Sequence, residues 1–142
     1  MAHDPSCPFC RIVRGEIPAA RVLETDAVVA MMDINPVNVG HVLLLPRDHH
    51  PTLSDVPPDT AAALGRVLPA LCRAVREAAG AEGLNVIVNH GAVAGQTVDH
   101  LHYHVIPRHR GDAVRWPWPH AAYPEGGLAA MREAIATALA RD

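Results

Sequence analysis

Three histidines alternate with other residues in the run His100-Leu101-His102-Tyr103-His104. Successive side chains of a β-strand point to opposite faces. The spacing therefore predicts His100, His102 and His104 on one face, about 7 Å apart at their backbones, with Leu101, Tyr103 and Val105 packing on the other. Such a ladder suits two chemistries. One is metal ligation, since imidazole is the commonest nitrogen ligand for zinc. The other is attack on phosphorus by a proton-free ring nitrogen, a form abundant at neutral pH because free histidine titrates near about 6.5. Directly upstream, Gly95-Gln96-Thr97-Val98 offers backbone N–H groups, an amide and a hydroxyl that could cradle phosphate oxygens. Far from these in sequence, Cys7-Pro8-Phe9-Cys10 has the spacing of a zinc knuckle, and its two thiolates would need two further ligands for a tetrahedral site. A redox Cys-x-x-Cys is the competing reading, weakened by the lack of a βαβ context.

What is missing narrows the chemistry as much. All 12 basic residues are arginine, so a Walker A loop, a Schiff-base lysine and a lysine-linked nucleotidyl intermediate are excluded. Serine occurs only at Ser6 and Ser54, neither in a nucleophile-elbow context. Net charge is −3 with scattered arginines, which argues against a nucleic-acid polymer as partner. No stretch approaches a membrane span and the first residues lack the pattern of a signal peptide, so a cytoplasmic chain is expected. Cys72 reads as buried filler within an apolar helical pattern.

The elements that must position these groups follow from periodicity and turn residues. A length of 142 residues predicts a single domain over 1–142, with a motif-bearing core at 7–108 and an irregular arm and helix at 109–142. A helical turn or two is expected over 7–17, then short strands at Arg21–Thr25, Ala27–Asp33 and Val42–Leu45. From Pro57 to Ala79 apolar residues recur at helical spacing, with Gly80 as C-cap and Pro69 expected to kink or split the helix. Strands at Leu84–Val88 and Leu101–Ile106 flank a glycine-bearing loop. Beyond the arm with Trp116-Pro117-Trp118-Pro119, a last helix over about Leu128–Ala140 is expected to bury Leu128, Met131, Ile135 and Leu139. The order of elements predicts an α+β fold, two main helices on an antiparallel sheet.

The run from Gly95 to Ile106 resembles the motif of the histidine triad (HIT) family, in which alternating histidines follow Gly-Gln-Ser/Thr. The resemblance extends to Phe9–Ala19, to Met32-Asp33-Ile34-Asn35-Pro36 and to Gly40–His49, blocks lying within 7–108. It implies a five-stranded antiparallel sheet that pairs into a continuous sheet in a homodimer. It implies His102 as nucleophile, His104 as ligand and proton partner of the α-phosphate, and His41 as the residue that orients the nucleophile. Asn89, Gln96 and Thr97 would contact phosphate, and Asp33 the ribose hydroxyls. Phe9, Ile12, Ile17, Met31 and Ile34 would face a purine base, with Met31 replacing an aromatic residue of many relatives.

The same resemblance implies a structural zinc held by Cys7, Cys10, His100 and His49. His49 keeps the family's Pro-x-x-His spacing from Pro46, and the adjacent His50 is the alternative. Four protein ligands leave zinc no open position, so it would hold the chain together and not activate water. The implied function is hydrolysis or transfer at the α-phosphate of nucleoside phosphoramidates or related conjugates, dinucleoside polyphosphates included, through a nucleotidyl-histidine intermediate. Two rivals remain open at the level of sequence. One is a nucleotide-binding interaction protein with little catalysis; the other is a zinc-dependent hydrolase in which His100, His102 and His104 share the metal.

Overall fold

The computed structural model describes residues 3–115 and 118–142; Trp116 and Pro117 of the expected arm lie outside the described residues. The chain divides into two compact units, Met1–Asp112 and Ala113–Asp142. In the first, α1 (Pro8–Val13) precedes β1 (Arg21–Glu24), β2 (Val28–Met32) and β3 (Val42–Pro46). Then come α2 (Pro58–Ala79), β4 (Gly83–Val88) and β5 (Tyr103–Arg108). The five strands form one antiparallel sheet in the order β1-β2-β3-β5-β4. The fold is thus α+β, as expected.

Alternation sorts the strands' side chains into two cores. Toward α2 point Val28 and Ala30 of β2, Val42 and Leu44 of β3, and Val105 of β5, which pack with Leu64, Leu71, Val75 and Leu101. Truncating a fully buried member such as Leu44 to alanine should cost about 2–5 kcal/mol. The opposite face carries Met31, Leu43 and Leu45, which pack with Cys7, Phe9 and Cys10 of the α1 region. Strand β2 is consequently apolar on both faces, which is why its sequence shows no polar alternation.

Helix α2 begins at Pro58, behind Pro57, and ends at Gly80, whose left-handed backbone lets its N–H reach the carbonyls of Arg76 and Glu77. Of the kink or split expected at Pro69, the split does not occur: the helix is continuous from Pro58 to Ala79. Pro69 lies on the exposed side of the helix, where the lost hydrogen bond does least damage. Strand β5 is a second departure, starting at Tyr103 and not at Leu101. Its neighbour β3 ends at Pro46, which has no N–H to extend the ladder. The Pro46 carbonyl meets the His100 ring, and Leu101 N–H donates to the carbonyl of His50 at 2.7 Å. Only His104 of the three ladder histidines therefore sits in regular strand.

The second unit contains α3 (Gly127–Leu139), close to its expected bounds. Its expected inner stripe is not inner: Leu128, Met131, Ile135 and Leu139 are 50–67% exposed. One helix without a second layer in its own unit has nothing to bury its apolar side against.

Candidate active site and metal centre

The ladder histidines are gathered on the face opposite α2, and backbone groups fix their rings. His104 lies opposite Leu43 of β3 and Ile87 of β4. His102 is 5% exposed, with Nδ1 2.7 Å from the carbonyl oxygen of His100. A carbonyl only accepts, so Nδ1 carries the proton and Nε2 keeps its lone pair. Phe9 stands edge-on to the His102 ring at 5.1 Å between centroids, and His104 flanks it at 5.0 Å. The ring is boxed in while, among the described residues, its Nε2 has no hydrogen-bond partner. This is the geometry that a nitrogen nucleophile needs.

His100 is arranged the other way. Its Nε2 donates to the Pro46 carbonyl at 2.8 Å, so the lone pair lies on Nδ1, which faces Cys7 Sγ at 3.5 Å and Cys10 Sγ at 3.6 Å. His49 Nδ1 stands 3.4 Å from Cys10 Sγ. With zinc–sulfur bonds of about 2.3 Å and zinc–nitrogen bonds of about 2.0–2.1 Å, tetrahedral ligands sit roughly 3.6 Å apart. The four donor atoms of Cys7, Cys10, His49 and His100 all lie within 4.8 Å of one another, so the donor set fits zinc in both chemistry and spacing. Among the described residues, His49 joins this cluster and His50 does not, and the buried Nε2 of His50 has no hydrogen-bond partner. Burial pushes the His100 ring down to about 4 and the Cys10 thiol up. A neutral imidazole is ready to ligate, whereas a buried thiolate needs a cation beside it.

Asp4 is a contributor that sequence reasoning missed. Its backbone N–H donates to Cys10 Sγ at 3.4 Å, and its carboxylate lies 3.8 Å from His49 Nε2, a placement suited to supporting metal ligands. No spacing rule signals it, because the chain must first turn through α1. The rival with three ladder histidines on one metal is not supported. Among the described residues, no cluster of possible ligands contains His100, His102 and His104 together.

His41 is 2% exposed and its Nε2 lies 2.9 Å from His104 Nδ1 and 3.5 Å from Asp33 Oδ2. It thus meets His104 directly, and His104 in turn flanks the His102 ring. Burial holds both rings below the ordinary histidine range, His104 at about 4. Asp33 Oδ1 accepts from Asn35 N–H at 2.8 Å, leaving the carboxylate at the rim of β2.

The Gln96 amide, expected to touch phosphate, turns inward instead. Oε1 accepts from Gly91 N–H at 2.8 Å, and Nε2 donates to the carbonyls of Pro51 and Val98 at 2.7 and 3.0 Å. Its donors and acceptor are committed to shaping the loop. Thr97 is exposed and lines a polar hollow of about 270 Å³ with Cys7, His49 and Asp99. Asn89 Nδ2 reaches the Gly95 carbonyl at 3.4 Å. Of the five apolar residues assigned to the base, Phe9 and Met31 are buried, with Ile12 packed beside them, Ile17 is half-buried, and Ile34 is 90% exposed. A larger apolar hollow of about 420 Å³ lies against α2, lined by Met32, Val42, Leu71, Ala74 and Val75. It is on the wrong side of the sheet to serve the histidines.

The HIT domain family matches residues 14–111. This chain belongs to the HIT family. Among HIT relatives, it is 41% identical over 108 residues to the adenylylsulfatase HINT3 of Arabidopsis thaliana, covering 76% of this chain and 55% of that longer protein. It is 36% identical over 124 residues to the adenosine 5'-monophosphoramidase HNT1 of Candida albicans, covering 82% of each. A zinc-bound histidine triad protein of Mycobacterium smegmatis superposes with a TM-score of 0.73 at 37% identity, over 96% of this chain and 98% of that one.

Proposed function

We propose that this HIT protein is a nucleotide hydrolase or transferase acting at the α-phosphate of nucleoside phosphoramidates or related conjugates, among them dinucleoside polyphosphates and nucleotidyl sulfates. The names of the Arabidopsis and Candida relatives support that substrate class. The observation that carries the reading is the His102 ring, held at Nδ1 by the His100 carbonyl with Nε2 left as a lone pair.

In the proposed reaction His102 Nε2 attacks the α-phosphorus in line. A nitrogen–phosphorus bond forms as the bond to the leaving amine, phosphate, sulfate or alcohol breaks, and an amine or alcohol departs with a proton. Water then attacks the same phosphorus and gives up a proton, and the nitrogen–phosphorus bond breaks to release the nucleotide and regenerate His102. A neutral imidazole splits one difficult displacement into two easier ones. Positioning and oriented donors supply most of the acceleration. His104 faces the phosphate with help from His41, and Asn89 and Thr97 border it on a loop braced by Gln96. Asp33 offers its carboxylate to the ribose hydroxyls, and Phe9, Ile12, Ile17, Met31 and Ile34 support a purine.

Zinc at Cys7, Cys10, His49 and His100 would tie the α1 segment to the residues just before β5, a structural task. Strand β4 leaves one edge unpaired and Val86 is 44% exposed. Such an edge is a template for a second copy, which supports the homodimer with a continuous sheet. No helix among the described residues is long and apolar enough to cross a membrane.

The deciding experiment is a single turnover of a labelled nucleoside phosphoramidate. Label should appear transiently on His102. His102→Ala should bind nucleotide yet lose roughly 10⁴-fold or more in turnover. A His102→Ala protein with wild-type rates would refute the assignment.

A further inference from the structure

The loop joining β2 to β3 determines where the protons of two histidines reside. Val37 N–H donates to His41 Nδ1 at 3.0 Å. An N–H can be met only by a lone pair, so His41 carries its single proton on Nε2. That nitrogen lies 2.9 Å from His104 Nδ1. Two N–H groups cannot face each other at this distance. His104 Nδ1 must therefore accept, and the His104 proton sits on Nε2. The Asp33 carboxylate oxygen 3.5 Å from His41 Nε2 also faces an N–H under this assignment.

We propose that the backbone N–H of Val37, acting through His41, fixes His104 as a neutral hydrogen-bond donor toward the substrate. Val37 and His41 are positioning residues, and the Nε2–H of His104 touches a phosphate oxygen or the leaving atom. The target of that donor rests on the reaction proposed above; the tautomers do not. Two adjacent rings of one residue type are thus set to opposite tasks, His102 offering a lone pair and His104 an N–H.

The loop is built to hold this arrangement. Asp33 N–H donates to the His41 carbonyl at 3.0 Å, and His41 N–H donates to the Asn38 carbonyl at 3.1 Å. The Asn38 amide donates to the Pro107 carbonyl at 2.8 Å and to Asp112 Oδ2 at 3.0 Å, tying the loop to the far end of β5. Gly40 closes the turn at φ +100°, where a Cβ would stand 3.1 Å from Ala79 Cβ. Burial disfavours the charged form of both rings.

Asp33, His41 and His104 also lie close enough to suggest a second metal site. The Val37 bond opposes it. Ligation through His41 Nε2 would move the proton to Nδ1, against the incoming N–H. Two nitrogens sharing one zinc would also stand about 3.3 Å apart, farther than the 2.9 Å separation here.

The test uses the full chain as purified, labelled with nitrogen-15 in its imidazoles. Long-range proton–nitrogen spectra at neutral pH should show His41 and His104 protonated on Nε2 and His102 on Nδ1. Finding His104 protonated on Nδ1 overturns the relay, whatever the variants do. His41→Gln keeps an amide donor toward His104 and should preserve its tautomer, with kcat down by no more than about tenfold. His41→Leu lacks the donor. It should mix the His104 tautomers and lower kcat by about 10²–10³-fold with little change in KM, the size expected for one lost transition-state donor. Equal losses in the two variants, each with an unchanged amide spectrum, would also overturn it. If the tautomers are as stated but no phosphoramidate turns over, the relay stands and the proposed reaction falls.

Discussion

Gln96 illustrates how a residue's type can be read from a motif while its task is set by its surroundings. Its side chain makes three hydrogen bonds to backbone groups of Gly91, Pro51 and Val98, and the residue is only 5% exposed. Replacing it with alanine leaves one N–H and two carbonyls in search of partners. Gln96→Ala should therefore cost about 1–3 kcal/mol in chemical denaturation. It should also raise KM for nucleotide by loosening the loop that carries Thr97, with the smaller effect on kcat. A variant that melts like the wild type would mean that water replaces all three bonds. The same distinction applies to His100 and His102, two residues apart in one motif. One aims Nδ1 at sulfur and the other aims Nε2 away from the backbone, because different carbonyls hold their rings.

Among the elements, two glycines give opposite expectations that test how the fold is held. Gly65 lies within α2 on its exposed side, and a Cβ there would meet nothing within 4 Å. Gly65→Ala should raise stability by about 0.5–1 kcal/mol, chiefly by reducing the freedom of the unfolded chain. Gly40→Ala should do the reverse, because φ +100° is unfavourable for a side chain and the space is occupied by Ala79 and Pro107. A loss of about 1–3 kcal/mol in thermal melts is expected, together with reduced kcat, since Gly40 borders His41. The junction of β3 and β5 has a related lesson. Pro46 stops the ladder, and the resulting irregular stretch frees His100 to turn toward the cysteines while His104 stays in the sheet.

At the scale of the molecule, the α1 segment is joined to the rest by the Phe9 cluster and by the Cys7, Cys10, His49 and His100 donors. If zinc occupies those donors, a strong chelator should release one zinc per chain and lower Tm by several degrees. Proteolysis should then begin within the first 15 or so residues, since metal binding to a native site adds directly to folding stability. Activity should fall only as the segment frays, not at once, because the proposed chemistry runs through His102. Instant loss of turnover with an unchanged Tm would favour a catalytic metal. The apolar stripe of α3 shows the limit of periodicity as a guide. Its spacing is that of a buried face, yet Leu128, Met131, Ile135 and Leu139 are exposed in the single chain.

The sequence alone determined most elements, the α+β class and the residue types of both candidate sites, because periodicity, turn residues and short motifs are local. Helix α2 and strands β2, β3 and β4 lie within a residue or two of the bounds that local patterning suggests. Tertiary structure decided what local patterning does not encode. It placed His49 and not His50 among the cysteine donors, turned Gln96 inward and brought Asp4 beside the cysteines. It also opposed His41 to His104 across 63 positions of chain. The physical reason is that a side chain's role depends on the direction of its donors and acceptors. Here those directions are set by backbone carbonyls and N–H groups from other elements, which no spacing of residue types records.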